Sequence, residues 1–182
     1  MTYNILLALI PVFLGWLIYY VKSKYIKVIL FIAWVLFVPN TIYIFTDIIH
    51  LIKDMRQVDA LGAVIILLQY SALLITGFLT FIFSLYPIER VLSKKNKKKK
   101  KRNVYNFLIG INFLIGFGIV LGRVYRLNSW DIFGETERLT YASLQVLSSP
   151  SMLLLVILFG LFANLVYFLF KARVKKLFLK KI

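Results

Sequence analysis

The chain has 182 residues, of which 61% are hydrophobic and only 16% charged, and its mean hydropathy is +0.85. Soluble domains are about 45–50% apolar and about 25% charged, so a water-soluble globular domain is excluded. With no cysteine and one histidine, disulfides, thiolate metal sites and sites built on two imidazoles are excluded too.

The apolar residues fall in long runs separated by charges. An ionised side chain at the bilayer centre costs about 2.5–3.5 kcal/mol on insertion scales, so charges mark the boundaries. Five uncharged runs are long enough to span, since a span needs about 20 apolar residues. The expected fold is all-α, an integral membrane bundle of five helices in a single transmembrane domain over 1–182. The spans are placed near 3–21, 28–46, 61–85, 103–122 and 150–170. The first carries no basic n-region and no small-residue cleavage site, and is read as an uncleaved signal-anchor. The last run exceeds one span. Ser148-Ser149-Pro150 is a helix-start signal, serine capping and proline at the first position, so the fifth span begins at Pro150. Leu139 to Leu147 is then a short helix that lies along the interface or dips partly into it as a re-entrant segment.

Orientation follows from the basic residues. Lys22, Lys24 and Lys27, the loop 89–102 and the tail 171–182 share one side, with eighteen basic residues and one acid, Glu89. The other side holds Lys53, Arg56, Arg123, Arg126 and Arg138 with six acids. The positive-inside bias places the N-terminus outside and the C-terminus in the cytoplasm. The run from Lys94 to Arg102 has no interleaved aromatic residue and no folded domain around it. It is read as an anchor for anionic lipid, worth about 1 kcal/mol per basic residue near the surface, and not as a nucleic-acid site.

Two polar stretches stand at the outer ends of spans 2 and 4. In the first, Asn40, Tyr43, Asp47, His50 and Asp54 share one helical stripe at 100° per residue. Pro39 removes a backbone hydrogen bond within the same span, leaving a carbonyl near Val35 free. Asn40 lies about 10 Å deeper than Asp47 at 1.5 Å per residue. The plain reading is an amphipathic helix emerging into water, with Asn40 capping the break. The sharper one is an outward pocket lined by Asn40, Tyr43, Asp47 and His50. A metal held by Asp47, His50 and Asp54 is weak on a lone histidine, and no metal or cofactor is expected.

The second stretch is Gly122-Arg123-Val124-Tyr125-Arg126-Leu127-Asn128-Ser129-Trp130-Asp131. Arg123 and Arg126 stand against the positive-inside bias and, if the helix continues, face the same way. They serve either as a clamp to Asp47 or Asp131 or as a phosphate-binding fork. Trp130 suits headgroup depth, and Asp131 can close the turn back onto an arginine. Gly118 and Gly122 form a G-x-x-x-G, read first as packing inside the bundle and second as a contact for a homo-oligomer or partner membrane protein. Gln69, Asn112 and Asn164 lie mid-span and call for interhelical hydrogen bonds.

These stretches carry a resemblance. W-x-x-F-x-P-N-x-x-Y-x-x-T-D-x-x-H-L, from Trp34 to Leu51, and G-R-x-x-R-x-N-S-W-D, from Gly122 to Asp131, resemble the signatures of an uncharacterised bacterial membrane family, domain-of-unknown-function family 1361. Ile42 departs from the pattern, which would carry a small residue or proline there. The resemblance implies a multi-pass protein of the bacterial plasma membrane and supplies no reaction.

There is no P-loop, G-x-S-x-G or H-E-x-x-H, and the basic segments are short. Three readings follow: an outward pocket for an anionic headgroup or lipid-linked ligand, a component for small-solute transport, or a non-catalytic accessory subunit. In the first, Asn40, Tyr43, Arg123, Arg126, Asn128, Trp130 and Asp131 bind, and Asp47 and His50 supply any acid–base chemistry, histidine titrating near neutral pH.

Overall fold

The computed structural model describes residues 2–93 and 99–178, all in helices and short connections, with no strand among them. The elements are α1 (Thr2–Tyr20), α2 (Lys24–Phe37), α3 (Pro39–Thr46), a 3-10 turn (Asp47–His50), α4 (Leu51–Met55), α5 (Ala60–Ser93), α6 (Lys99–Val124), α7 (Asp131–Gly134), α8 (Thr136–Ser148) and α9 (Pro150–Phe178). Five stretches are long and apolar enough to cross a membrane: Tyr3–Tyr20, Lys24–Met55, Ala60–Ser93, Arg102–Val124 and Pro150–Leu177. This is a helical membrane protein with five candidate spans. The helices overrun the apolar runs, because backbone hydrogen bonding continues past the last apolar residue into the charged flanks.

Span 2 is broken, as proline requires. Val38 stays helical, and its N–H still reaches Trp34 O, but a new helix starts at Pro39. Side chains cover carbonyls loosened by the break. Asn40 Nδ2 donates to Phe37 O at 3.0 Å, and Ser129 Oγ donates to Leu36 O at 2.8 Å. The carbonyls so satisfied are therefore Leu36 and Phe37, one and two residues beyond the expected Val35.

The bundle is two tight pairs joined by span 2. α1 lies along α5, α6 lies along α9, and α2–α3 packs on both α1 and α5 while reaching α6. Small residues set these approaches. A Cβ on Gly116 would stand 2.5 Å from Val156 O and 2.8 Å from Gly160 N, so α6 and α9 meet backbone to backbone. One apolar core, including Trp34, Phe81, Leu85, Leu108, Ile115 and Tyr167, runs through the middle. Large apolar side chains on the outside, such as Phe13, Ile29, Leu68 and Leu158, form the surface a bilayer would cover.

Two mid-bundle amides pair between helices, while Asn112 Oδ1 and Trp34 Nε1 are buried with no hydrogen-bond partner among the described residues. Asn112 Nδ2 donates to Asn164 Oδ1 at 3.0 Å, and Asn164 Nδ2 donates to Gly160 O at 2.8 Å. Gln69 instead lies on an exposed face of α5. At the end bearing most basic residues, Glu89 accepts from Tyr167 Oη at 2.5 Å and from Lys171 Nζ at 2.9 Å. The Lys171 ammonium also sits 4.6 Å from the centre of the Tyr105 ring. That cluster ties α5 to α9 across the two pairs, and no sequence pattern announced it.

Residues 136–148 form a helix, α8, as the segment before the last span was expected to do. Its Ala142 and Val146 pack with Val120, Leu121 and Leu127, while Tyr141, Leu144 and Leu147 stay exposed. The basic run at 94–98 and the tail at 179–182, on which the anionic-lipid reading partly rests, lie outside the described residues.

Candidate functional site

The two polar stretches come together, with α1, at the end of the bundle where α1 begins. Its centre is Asp47, buried to 8% exposure. One carboxylate oxygen accepts from Arg123 Nη2 at 2.5 Å and the other from Asn4 Nδ2 at 2.9 Å. Arg123 Nε donates to Thr46 Oγ1 at 2.5 Å, and its guanidinium carbon lies 4.4 Å from the Tyr43 ring centre. Tyr43 Oη in turn donates to Gly122 O at 3.3 Å. Thus spans 1, 2 and 4 are joined through one carboxylate. Asn4 was not singled out in the sequence. A lone amide in an otherwise uncharged first turn was the signal available.

The loop after α6 adds a second layer. Asn40 Nδ2 donates to Ser129 Oγ at 3.0 Å, which carries the break in span 2 onto the loop. Asp131, also 8% exposed, accepts the Asn128 backbone N–H at 2.7 Å. The turn closes on its own backbone, and Asp131 does not reach an arginine. Trp130 packs edge to face on Tyr3, ring centres 6.2 Å apart.

Arg126 departs from the expected common face with Arg123. α6 ends at Val124, and Arg126 has φ 54°, the left-handed region, while Leu127 N–H returns to Leu121 O at 3.3 Å. A residue other than glycine there is uncommon and costs about 1–2 kcal/mol, a kind of strain that clusters at binding sites. Its side chain is exposed, and among the described residues no carboxylate lies within ion-pair distance.

His50 stays on the expected stripe. The 3-10 turn over Asp47–His50 advances by about 120° per residue, so three steps bring His50 into line with Asp47. His50 is exposed, and Asp54 accepts from Tyr70 Oη at 2.7 Å. Asp47, His50 and Asp54 therefore do not converge, and no group of three such ligands occurs among the described residues. With both oxygens taken, Asp47 is poorly placed to accept a proton from a substrate.

A cavity of about 770 Å³ opens beside this network. Its mouth is lined by Asn4, Asn40, His50, Arg123, Arg126, Asn128 and Ser129, and its depth by Val35, Leu36, Leu114, Phe117 and Leu121. Tyr43 lines it as well, whereas Asp47 is the anchor behind the wall and Trp130 and Asp131 shape the adjoining turn. Gly118 and Gly122 face inward here: a Cβ on Gly118 would stand 2.6 Å from Pro39 Cγ, and one on Gly122 would stand 3.0 Å from the Tyr43 ring. The G-x-x-x-G lets span 4 approach the break in span 2. Because Asp47 neutralises Arg123, Arg126 is the uncompensated cation at the mouth among the described residues.

Residues 3–166 match the family model described as "Protein of unknown function (DUF1361)". No curated protein and no solved structure matches the chain.

Proposed function

The chain belongs to the DUF1361 family of proteins of unknown function, and we propose that it holds an anionic headgroup or lipid-linked ligand at the cavity between spans 2 and 4. The observation that carries this reading is the uncompensated, strained Arg126 at the polar mouth of a cavity whose depth is apolar. A volume of 770 Å³ lies within the range of about 300–1,000 Å³ for ligand sites. A guanidinium suits a phosphate or carboxylate, and Asn40, Asn128 and Ser129 add neutral polar groups. Arg123 and Asp47 hold the wall, and His50 stands at the rim.

Native mass spectrometry of the gently extracted protein tests this. The wild type should retain an anionic lipid that Arg126→Gln loses at unchanged thermal stability. Bare protein in both samples would sink the pocket, and a second polypeptide retained in both would favour an accessory subunit.

The site faces outward in this proposal, in a bacterial plasma membrane, with the basic segments against anionic lipid of the inner leaflet. The natural absence of cysteine gives a direct check. Gln57→Cys should react with a membrane-impermeant thiol reagent on intact cells, and Ser23→Cys only after permeabilisation. The reverse pattern would invert the orientation.

A further inference from the structure

Below its mouth the cavity has no charged lining residue; Val35, Leu36, Leu114, Phe117 and Leu121 wall it. From Leu121 down to Leu114 the apolar wall follows seven residues of α6, a rise of about 10 Å. Half of a hydrocarbon core is about 15 Å, so only with Arg123, two residues above, does the whole wall approach the depth of one leaflet. Its charged end and its apolar end stand where a lipid of that leaflet has its own. At Gly118 span 4 touches Pro39, which closes one flank, and Leu139 and Ser143 of α8 line another.

We propose that this depth is a slot for one hydrocarbon chain, so that the ligand is a single-chain amphiphile with a phosphate-bearing head. The phosphate meets Arg126 and the chain lies along α6, between the break in span 2 and α8. This rests on the anionic reading of the mouth and adds the chain to it. A cavity of 770 Å³ is the size of a site for one drug-sized molecule, which favours one chain over two. A bilayer already solvates chains, so the slot's advantage is selection: it excludes amphiphiles whose apolar part does not fit.

The test is a binding series in detergent of fixed composition, with lysophosphatidates of increasing chain length as probes and glycerol 3-phosphate and inorganic phosphate as chainless arms. Three proteins are compared: the wild type, Arg126→Gln and Ser143→Phe, which puts a ring into the slot from α8. The wild type should gain affinity with chain length, by well under the about fourfold per methylene group of transfer from water because detergent already solvates the chain, and then level off. Ser143→Phe should level off at a shorter chain, and Ser143→Leu, a smaller insertion, at an intermediate one. Arg126→Gln should weaken every chain length by a similar factor. Because partitioning into detergent is common to all proteins, the difference between their profiles reports the slot.

Identical chain-length profiles in the wild type and both Ser143 variants would overturn the slot while leaving the mouth intact. Binding of the chainless phosphates as tightly as the longest probe would do the same and assign the site to soluble phosphate. Indifference of all probes to Arg126→Gln would remove the anionic mouth and the slot with it.

Discussion

Replacing Arg123 with alanine is expected to lower stability by about 3 kcal/mol, the usual cost of leaving one member of a buried ion pair uncompensated. The side chains of Arg123 and Asp47 are only 24% and 12% exposed, so neither is well solvated alone. Without the guanidinium, Asp47 keeps one side-chain donor among those observed, the Asn4 amide. The variant also loses the bond to Thr46 and the contact with the Tyr43 face. Asp47→Ala should cost less, about 2 kcal/mol, because the more exposed Arg123 has a long stem and can swing its charge toward water. In the double variant no unpaired charge remains, so its loss should fall below the sum of the single losses. Denaturant titrations followed by circular dichroism measure all three. Strict additivity would mean that the two groups do not act as a pair. Since Arg123 serves folding, its loss cannot report ligand binding cleanly. Arg126, which no carboxylate pairs among the described residues, can.

The second large effect concerns two glycines in the same helix that differ only in what faces them. Gly116→Ala puts a methyl group 2.5 Å from Val156 O and 2.8 Å from Gly160 N. Neither atom can yield without moving the α9 backbone. Overpacking of this kind costs about 1–3 kcal/mol, and a rigid backbone on the far side favours the upper part of that range. Gly110→Ala meets nothing within 4 Å. It should be neutral or stabilising by up to about 1 kcal/mol, from helix propensity alone. Thermal unfolding of the two variants in one detergent separates them. Equal melting temperatures would show that α6 and α9 do not rely on this close contact.

These glycines also mark where sequence reading stops. Gly118 and Gly122 draw attention by their spacing, and both do pack inside the chain, against Pro39 and Tyr43. The backbone contact between Gly116 and Gly160 joins residues 44 positions apart, and no local spacing encodes it. Glu89, Tyr167 and Lys171 were equally silent, because an acid at the end of one span gives no hint of which later span will face it. Asn4 completes the Asp47 site from 43 residues away. Local geometry was legible only while the chain stayed helical. The stripe from Asn40 through Asp47 to His50 holds, but the left-handed Arg126 separates the two arginines.

The sequence by itself determined the solvent and the architecture: five apolar helices, the break at Pro39 and the helix start at Pro150. Each follows from a local quantity, a run of transfer free energies or a residue lacking an N–H, and needs no knowledge of the rest of the chain. Only the tertiary structure decided which arginine is a clamp and which is free. Both carry the same charge and sit three residues apart. Asp47 neutralises Arg123 because the bundle brings the ends of spans 1, 2 and 4 together, and the turn after α6 carries Arg126 away from it.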